Sequence, residues 1–446
     1  MQKKSLLALL LALMMLLSGC ALVTVDTEKD NARTIIDVNG ETVNKKIVHA
    51  IVHNQLEMNQ YYSQLYASYG ITGGFSTDEG EVTKQVIESF VQQLVSKQKA
   101  KELGLYEMTE EETAEIETAA QENYNSFLDS VGSTYLPGLG LEGDELRAAA
   151  EKYAAENKIT TVDGKTVLDD FIQAAKDDKA IQKLDDYMIK DVVVTDEEIQ
   201  ADYDAKVEAD KATYEADPNA YSTARTNGTT VYYAPAGYRM IKHILVPLTS
   251  EDTTAMTEKE TALSAAQTAL TNAQTALDEA AEDADKTALQ TALDEAKKAA
   301  EEAQAAYNEA KDAAFAAIKG KADEIYEKAI AEDADFDALI AEYSTDNMPA
   351  DGYAVREGGT TFVEPFTNAA MALANVGDVS EPVETTYGYH ILKYVSDVEE
   401  GPVSLDSVRD TIASSLLSTK QSETITATRA QYVSEANVKT YEDRMD

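Results

Sequence analysis

The 446-residue chain has four histidines, and two of them sit in the middle of runs that read as β-strands. One run is Tyr238-Arg239-Met240-Ile241-Lys242-His243-Ile244-Leu245-Val246; the other is Tyr387-Gly388-Tyr389-His390-Ile391-Leu392-Lys393-Tyr394. Their polar and apolar residues alternate as in half-buried strands. Imidazole is the side chain that does acid–base or metal chemistry near neutral pH, so these two positions are the first candidates for a site. The second strand closes Ser344–Tyr394, the one stretch that combines a histidine, a Gly-rich turn series, a Pro-Phe pair and two β-like runs. The other two histidines, His49 and His53, stand four apart with Glu57 four further on and could offer a metal face on a helix. No fourth ligand or second cluster accompanies them, so they read as a solvated helix face, and no metal or cofactor is expected.

The elements that must position these residues are bounded by composition. With 38 basic against 81 acidic residues the net charge is −43, which argues against binding nucleic acid through the general surface. Length alone suggests two or three domains. At the N-terminus Lys3 and Lys4 precede an apolar run from Leu6 to Leu17, then Leu17-Ser18-Gly19-Cys20. A basic start, a short apolar run and small residues before a cut site describe a secretory signal over residues 1–20, too short for a permanent span. The ending resembles a lipobox, in which Cys20 is acylated and becomes the first mature residue. Cys20 is the sole cysteine, so no disulfide or thiol chemistry is expected in the exported part. The chain is expected to be exported and held at the membrane by lipid.

Residues 21–33 read as a polar tether. Thr34 to Glu41 reads as a strand ending in an Asn-Gly turn, followed by helices over about 45–69 and 82–103, the second stopped by Gly104. Thr109-Glu110-Glu111-Glu112 and Thr195-Asp196-Glu197-Glu198 each have the Thr-acid-acid pattern of a helix N-terminus. The tract 217–237 contains Pro218, Gly228, Pro235 and Gly237 and reads as a domain boundary. Between Glu251 and Gly320, 23 of 70 positions are alanine. Leu263, Leu270 and Leu277 recur every seven residues, as do Leu293, Ala300, Tyr307 and Ala314 beyond the polar break 282–286. Two heptad-patterned arms around a polar turn predict an antiparallel helical hairpin over 251–316, with ordinary short helices resuming after Gly320 and a last helix over about 405–428.

With the Ala-rich insert set aside, five ordered motifs identify a family. They are Lys242-His243-Ile244-Leu245-Val246; Phe336 to Tyr343 with Ser344-Thr345-Asp346; Val363-Glu364-Pro365-Phe366 with Ala369 to Leu373; Gly377-Asp378-Val379-Ser380-Glu381-Pro382-Val383; and Tyr387-Gly388-Tyr389-His390-Ile391. Together they resemble the parvulin-type (PpiC) peptidyl-prolyl isomerases across about 95 residues. The strand and successive helices before them resemble the N-terminal chaperone domain of the SurA and PrsA foldases. The resemblance implies an α+β fold: a mostly helical chaperone domain at 34–236, completed by a C-terminal helix within 397–446, and a small parvulin-like domain at 237–396. The latter would have an antiparallel sheet with helices and carry the hairpin insertion.

The resemblance also implies roles. In this family two strand histidines lie side by side at the floor of the site and an acid or cysteine stands over the rotating carbonyl. Those catalytic positions fall here on His243, His390 and Asp346. Phe362, Val363 and Phe366 fall on substrate-binding positions around the proline pocket, Thr385 on a hydroxyl beside the histidines, and Tyr387 on a position often occupied by Phe. Three departures stand out. Asp351-Gly352-Tyr353-Ala354-Val355 replaces the usual Gly-Gly-x-Leu-Gly turn, leaving Tyr353 or Val355 in place of a pocket-wall leucine. Val363 stands where glutamine is common. Thr249-Ser250-Glu251-Asp252 stands where phosphoserine-directed relatives have a basic loop, which argues against phosphate recognition. The expected function is a lipid-anchored isomerase and foldase for exported proteins, acting on X-Pro segments of unfolded or partly folded chains, with a second copy of the chain also a candidate partner. The alternative is a non-catalytic holdase or scaffold.

Overall fold

A computed structural model describes residues 27–71, 73–156, 167–281 and 286–445. The expected signal segment, Cys20 and residues 21–26 of the expected tether lie outside the described residues. In chain order the described elements begin α1 (Thr27–Asn31), β1 (Thr34–Val38), β2 (Glu41–Asn44), α2 (Lys45–Ser68), α3 (Glu79–Glu102), α4 (Glu110–Tyr135), α5 (Gly143–Glu156) and α6 (Val167–Ile189). Next come α7 (Asp196–Ala216), α8 (Ala220–Thr226), β3 (Tyr233–Ala234), β4 (Tyr238–Pro247), α9 (Ser250–Glu279), α10 (Thr287–Ala329) and α11 (Phe336–Tyr343). The rest are β5 (Tyr353–Arg356), α12 (Glu364–Ala372), β6 (Val383–Thr385), β7 (Gly388–Asp397), β8 (Gly401–Pro402), α13 (Leu405–Glu435) and β9 (Val438–Thr440). The chain divides into two compact units, residues 1–193 with 415–446, and residues 194–414.

In the first unit Asn39 and Gly40 take φ of 54° and 91°, the left-handed pair that a tight β-turn demands, and they join β1 to β2. β9 pairs with the other edge of β1, so the C-terminal tail completes a three-stranded sheet. Ile35, Ile36 and Val38 are fully buried there among Val48, Ile51 and Val52 of α2 and Val82, Val86 and Ile87 of α3. Thr109 makes a full capping box with Glu112, as its sequence predicts. Residues 27–33 differ from the expected tether: α1 is helical, and Asp30 pairs with Lys45 at 3.0 Å and Arg33 at 3.1 Å. His49 and His53 lie on exposed positions of α2, with His53 Nε2 3.3 Å from Glu57 Oε1.

The second unit is built on a four-stranded antiparallel sheet in the order β5-β4-β7-β6. One face packs on α12. The opposite face presents Ile244, Val246, Tyr389 and Ile391 to Ala314, Phe315, Ala322 and Ile325 of α10 and to Phe336 of α11. Three expectations are corrected. The hairpin's second arm does not stop at 316: α10 runs unbroken through Gly320 to Ala329, because Ala322, Ile325 and Ala329 bury a stripe under the sheet that outweighs the ~1 kcal/mol cost of a helical glycine. The division between the compact units falls at 193/194, and the expected domain boundary at 236 lies inside the second unit. Finally, the tract 217–237 holds α8, whose Tyr221 packs edge-on against Tyr238 at 4.9 Å and whose Ser222 hydroxyl donates to the Ala354 carbonyl at 2.7 Å. α9 and α10 do pair as the heptads predict, with Leu293 and Ala300 buried in the seam.

Candidate active site

β4 and β7 pair antiparallel in a register that sets His243 opposite Leu392 and Leu245 opposite His390. The two imidazoles are therefore diagonal neighbours on the face toward α12. Two glycines hold the strand ends this close. A Cβ on Gly388, φ +136°, would meet the Val246 carbonyl oxygen at 2.2 Å, and one on Gly352, φ +92°, would meet the Ile241 carbonyl oxygen at 2.6 Å. After α11, Ser344 accepts from the Leu245 N–H at 3.2 Å and from the Asp346 N–H at 3.4 Å, which ties the turn bearing Asp346 to β4.

These supports bring the three expected catalytic side chains into one hydrogen-bonded series. His243 Nε2 is 2.8 Å from Asp346 Oδ2, His243 Nδ1 is 3.0 Å from His390 Nδ1, and His390 Nε2 is 2.9 Å from Thr385 Oγ1. An ionised carboxylate only accepts, so His243 Nε2 carries the proton it donates to Asp346. When each ring holds one proton, His390 Nδ1–H donates to His243 Nδ1 and the Thr385 hydroxyl donates to His390 Nε2. Thr385 in turn accepts from the Tyr387 N–H at 3.1 Å.

The surroundings set the charges. His243 and His390 are 2% and 6% exposed. Burial, with the neighbouring His243 adding to it, pushes the His390 pKa down to about 3, so that ring stays neutral. The Asp346 carboxyl is held down at about 2, chiefly by its hydrogen bond to His243 and further by that to Tyr353, against the opposing effect of burial. Phe366 of α12 stands edge-on to both imidazoles at 5.3 Å, and Phe362 lies 5.4 Å from Phe366. Val363 immediately precedes α12 and packs half-buried against the same core. Tyr387 is the outlier: its ring is 61% exposed, and its backbone makes the bond to Thr385.

Tyr353 is the residue that sequence reasoning left undecided. Its hydroxyl donates to Asp346 Oδ2 at 2.8 Å, and its ring lies 5.6 Å from His243 and 4.9 Å from Phe362. Val355, the other contender for the pocket-wall position, is buried in the core beneath. The available signal was the strand-like spacing after Gly352, which puts Tyr353 on the face of Ile241.

Residues 294–396 match the family model for the rotamase, PPIC-type PPIASE domain. The chain is 32% identical over 107 residues to foldase protein PrsA of Clostridium acetobutylicum, covering 23% of this chain and 32% of that one. It is 36% identical over 125 residues to foldase protein PrsA 2 of Listeria monocytogenes, covering 28% of this chain and 42% of that one. The chain thus spans less than half the length of these relatives. Foldase protein PrsA of Streptococcus pneumoniae aligns in structure at 14% identity, covering 93% of this chain and 97% of that one with a TM-score of 0.20. The family match begins on α10, beyond the hairpin, and so omits β4; the sheet register is what returns His243 to the matched region. The chain carries a PPIC-type rotamase domain over residues 294–396.

Proposed function

We propose that this chain is a peptidyl-prolyl cis-trans isomerase and foldase for exported proteins, held by lipid on Cys20 at the extracytoplasmic face of the membrane. The observation that carries the reading is the series Asp346–His243–His390–Thr385 lying beside the Phe362–Phe366 pair. Rotation about an X-Pro bond faces a barrier of ~20 kcal/mol and takes tens of seconds unaided. No bond is broken, so a catalyst need only favour the twisted amide over the planar one. In the planar amide, resonance puts negative charge on oxygen and positive charge on nitrogen. A fixed carboxylate beside the carbonyl oxygen opposes that charge separation and so lowers the cost of twisting. Asp346 is suited to this because its low pKa keeps it ionised, while His243, bonded in turn to the neutral His390 ring, holds it in place. Phe362 and Phe366 supply an apolar wall for the proline ring.

A second reading has its own support in the first unit. There α2 and the segment after it expose Tyr61, Tyr69 and Ile71 at 63%, 75% and 54%, with Tyr62 stacked on Phe75 at 5.5 Å. Such a patch is suited to holding unfolded chains without catalysis. A proline-isomerisation assay and an aggregation-suppression assay on the full chain separate the two. Acceleration over buffer that falls tenfold or more in His243→Ala (about 1.4 kcal/mol), with suppression intact, is the expected result. No acceleration from the unaltered chain, with suppression intact, would leave the holdase alone.

A further inference from the structure

We propose that Tyr353 is a positioning residue of the site, resting on the isomerase reading: its hydroxyl fixes Asp346 as the acceptor that orients His243, and its ring closes the proline pocket against Phe362. Three independent features converge on it. The hydroxyl donates to Oδ2 of Asp346 at 2.8 Å, the same oxygen that takes the His243 Nε2–H at 2.8 Å. Two donors on one oxygen fix the carboxylate's rotation, and a carboxylate so fixed keeps the His243 proton on Nε2, which leaves Nδ1 as acceptor for His390. The ring is 9% exposed and lies nearly parallel to His243, 28° between planes, while meeting Phe362 at 4.9 Å.

The backbone shows the same fixing. Tyr353 pairs with Ile241 in the β4–β5 ladder, and Gly352 before it approaches Ile241 too closely for any side chain. The Asp351 carboxylate is paired with Arg225 of α8, and Ser222 of α8 bonds the Ala354 carbonyl. The segment is pinned on both sides of the tyrosine. Burial, together with the Asp346 charge, raises the pKa of the phenol, so it remains a donor throughout the working pH range. Tyr353 therefore does two jobs that separate cleanly: hydroxyl to carboxylate, ring to pocket.

The test uses the full chain labelled with ¹⁵N at histidine. Its spectrum contains four rings, and His49 and His53 on the exposed face of α2 serve as internal references. In the unaltered chain the His243 ring nitrogens should report a single tautomer protonated on Nε2. Tyr353→Phe keeps the ring and removes the donor: His243 should become a tautomer mixture, kcat should fall about three- to tenfold with KM within about twofold, and the acid limb of kcat/KM should rise by about half a pH unit or more. Tyr353→Leu should in addition raise KM several-fold. A Tyr353→Phe protein with the wild-type nitrogen pattern and the wild-type pH profile would overturn the proposal, whatever its rate. If the unaltered chain shows no isomerase activity, the isomerase reading fails and the catalytic role with it, while the nitrogen comparison still decides by itself whether the hydroxyl orients His243.

Discussion

The fold penalises His390 for taking a second proton, and this gives a stability test that needs no substrate. Its pKa falls from the ordinary 6.5 to about 3, first because the ring is buried and second because His243 lies against it. Unfolding restores the ordinary value, so between pH 6.5 and 3 the unfolded chain binds more protons at this site than the folded one. Stability therefore falls as pH falls through that window. From pH 8 to pH 5 the loss is about 2 kcal/mol, and a folded-state value one unit higher would barely change it. In a unit of this size that is roughly 4–8 °C in thermal midpoint. Asp346 contributes no change between pH 8 and pH 5: its stabilising effect is present above pH 4 and is lost as pH falls from there through about 2. The assay is urea unfolding of the full chain at pH 8, 7, 6 and 5, followed by hydrogen exchange of β4 and β7 and compared with His390→Gln. Titrating groups remote from the histidine pair cancel in that comparison. The unaltered protein should lose about 2 kcal/mol more than the variant over the series. Parallel lines would refute the reasoning, because they would mean that the ring is charged, or free to charge, in the folded state.

Two further predictions concern the scaffold. Gly320 sits inside α10 with no atom within 4 Å of where its Cβ would be, so Gly320→Ala should stabilise the chain by about 0.5–1 kcal/mol, read as an upward shift in urea midpoint with an unchanged slope. Asp178 in α6 has its pKa pushed up to about 6 by burial and by the neighbouring Asp177. The cost of holding it ionised is full above pH 6 and gone below the ordinary carboxylate value. Asp178→Asn should therefore stabilise the first unit by on the order of 2 kcal/mol at pH 8 and by little at pH 4. An equal gain at both pH values would assign the effect to something other than charge.

How much of this was legible in the sequence depends on how local the cause is. The Asn39-Gly40 turn, the Thr109 and Thr195 capping boxes and the heptad seam of the hairpin are set by neighbours within a few residues, and each lies where the pattern predicts. His243, Asp346, His390 and Thr385 come together as the family motifs imply, although the contact between His243 and Asp346 spans more than a hundred positions. The misses have long-range causes. Gly320 and the prolines around α8 carry strong local breaker signals. They are overridden by a buried stripe under the sheet in one case and by the Tyr221–Tyr238 contact in the other. Val438 to Thr440 forms a strand only because β1, some 400 residues earlier, offers it an unpaired edge.

Those long-range causes also explain how a site can tolerate about seventy residues between its first strand and the rest. A flexible insertion of that length would cost only a few kcal/mol in closure entropy, but it would leave the register of β4 to be found from far away. The described arms of this insertion are helices packed on each other. α9 leaves β4 directly, capped by Thr249, and Met256 near its base packs with Ala314 and Phe315 of the returning arm. The returning arm is the same helix whose later turns, through Ala322 and Ile325, lie beneath Ile244 and Ile391. One continuous helix thus links the seam of the hairpin to the underside of the strands that carry His243 and His390. Ile244 and Ile391 point down to that helix, and their neighbours in sequence, His243 and His390, must then point up to Phe366. The hairpin fixes the strand face by face, and the imidazole pair is the other side of that constraint.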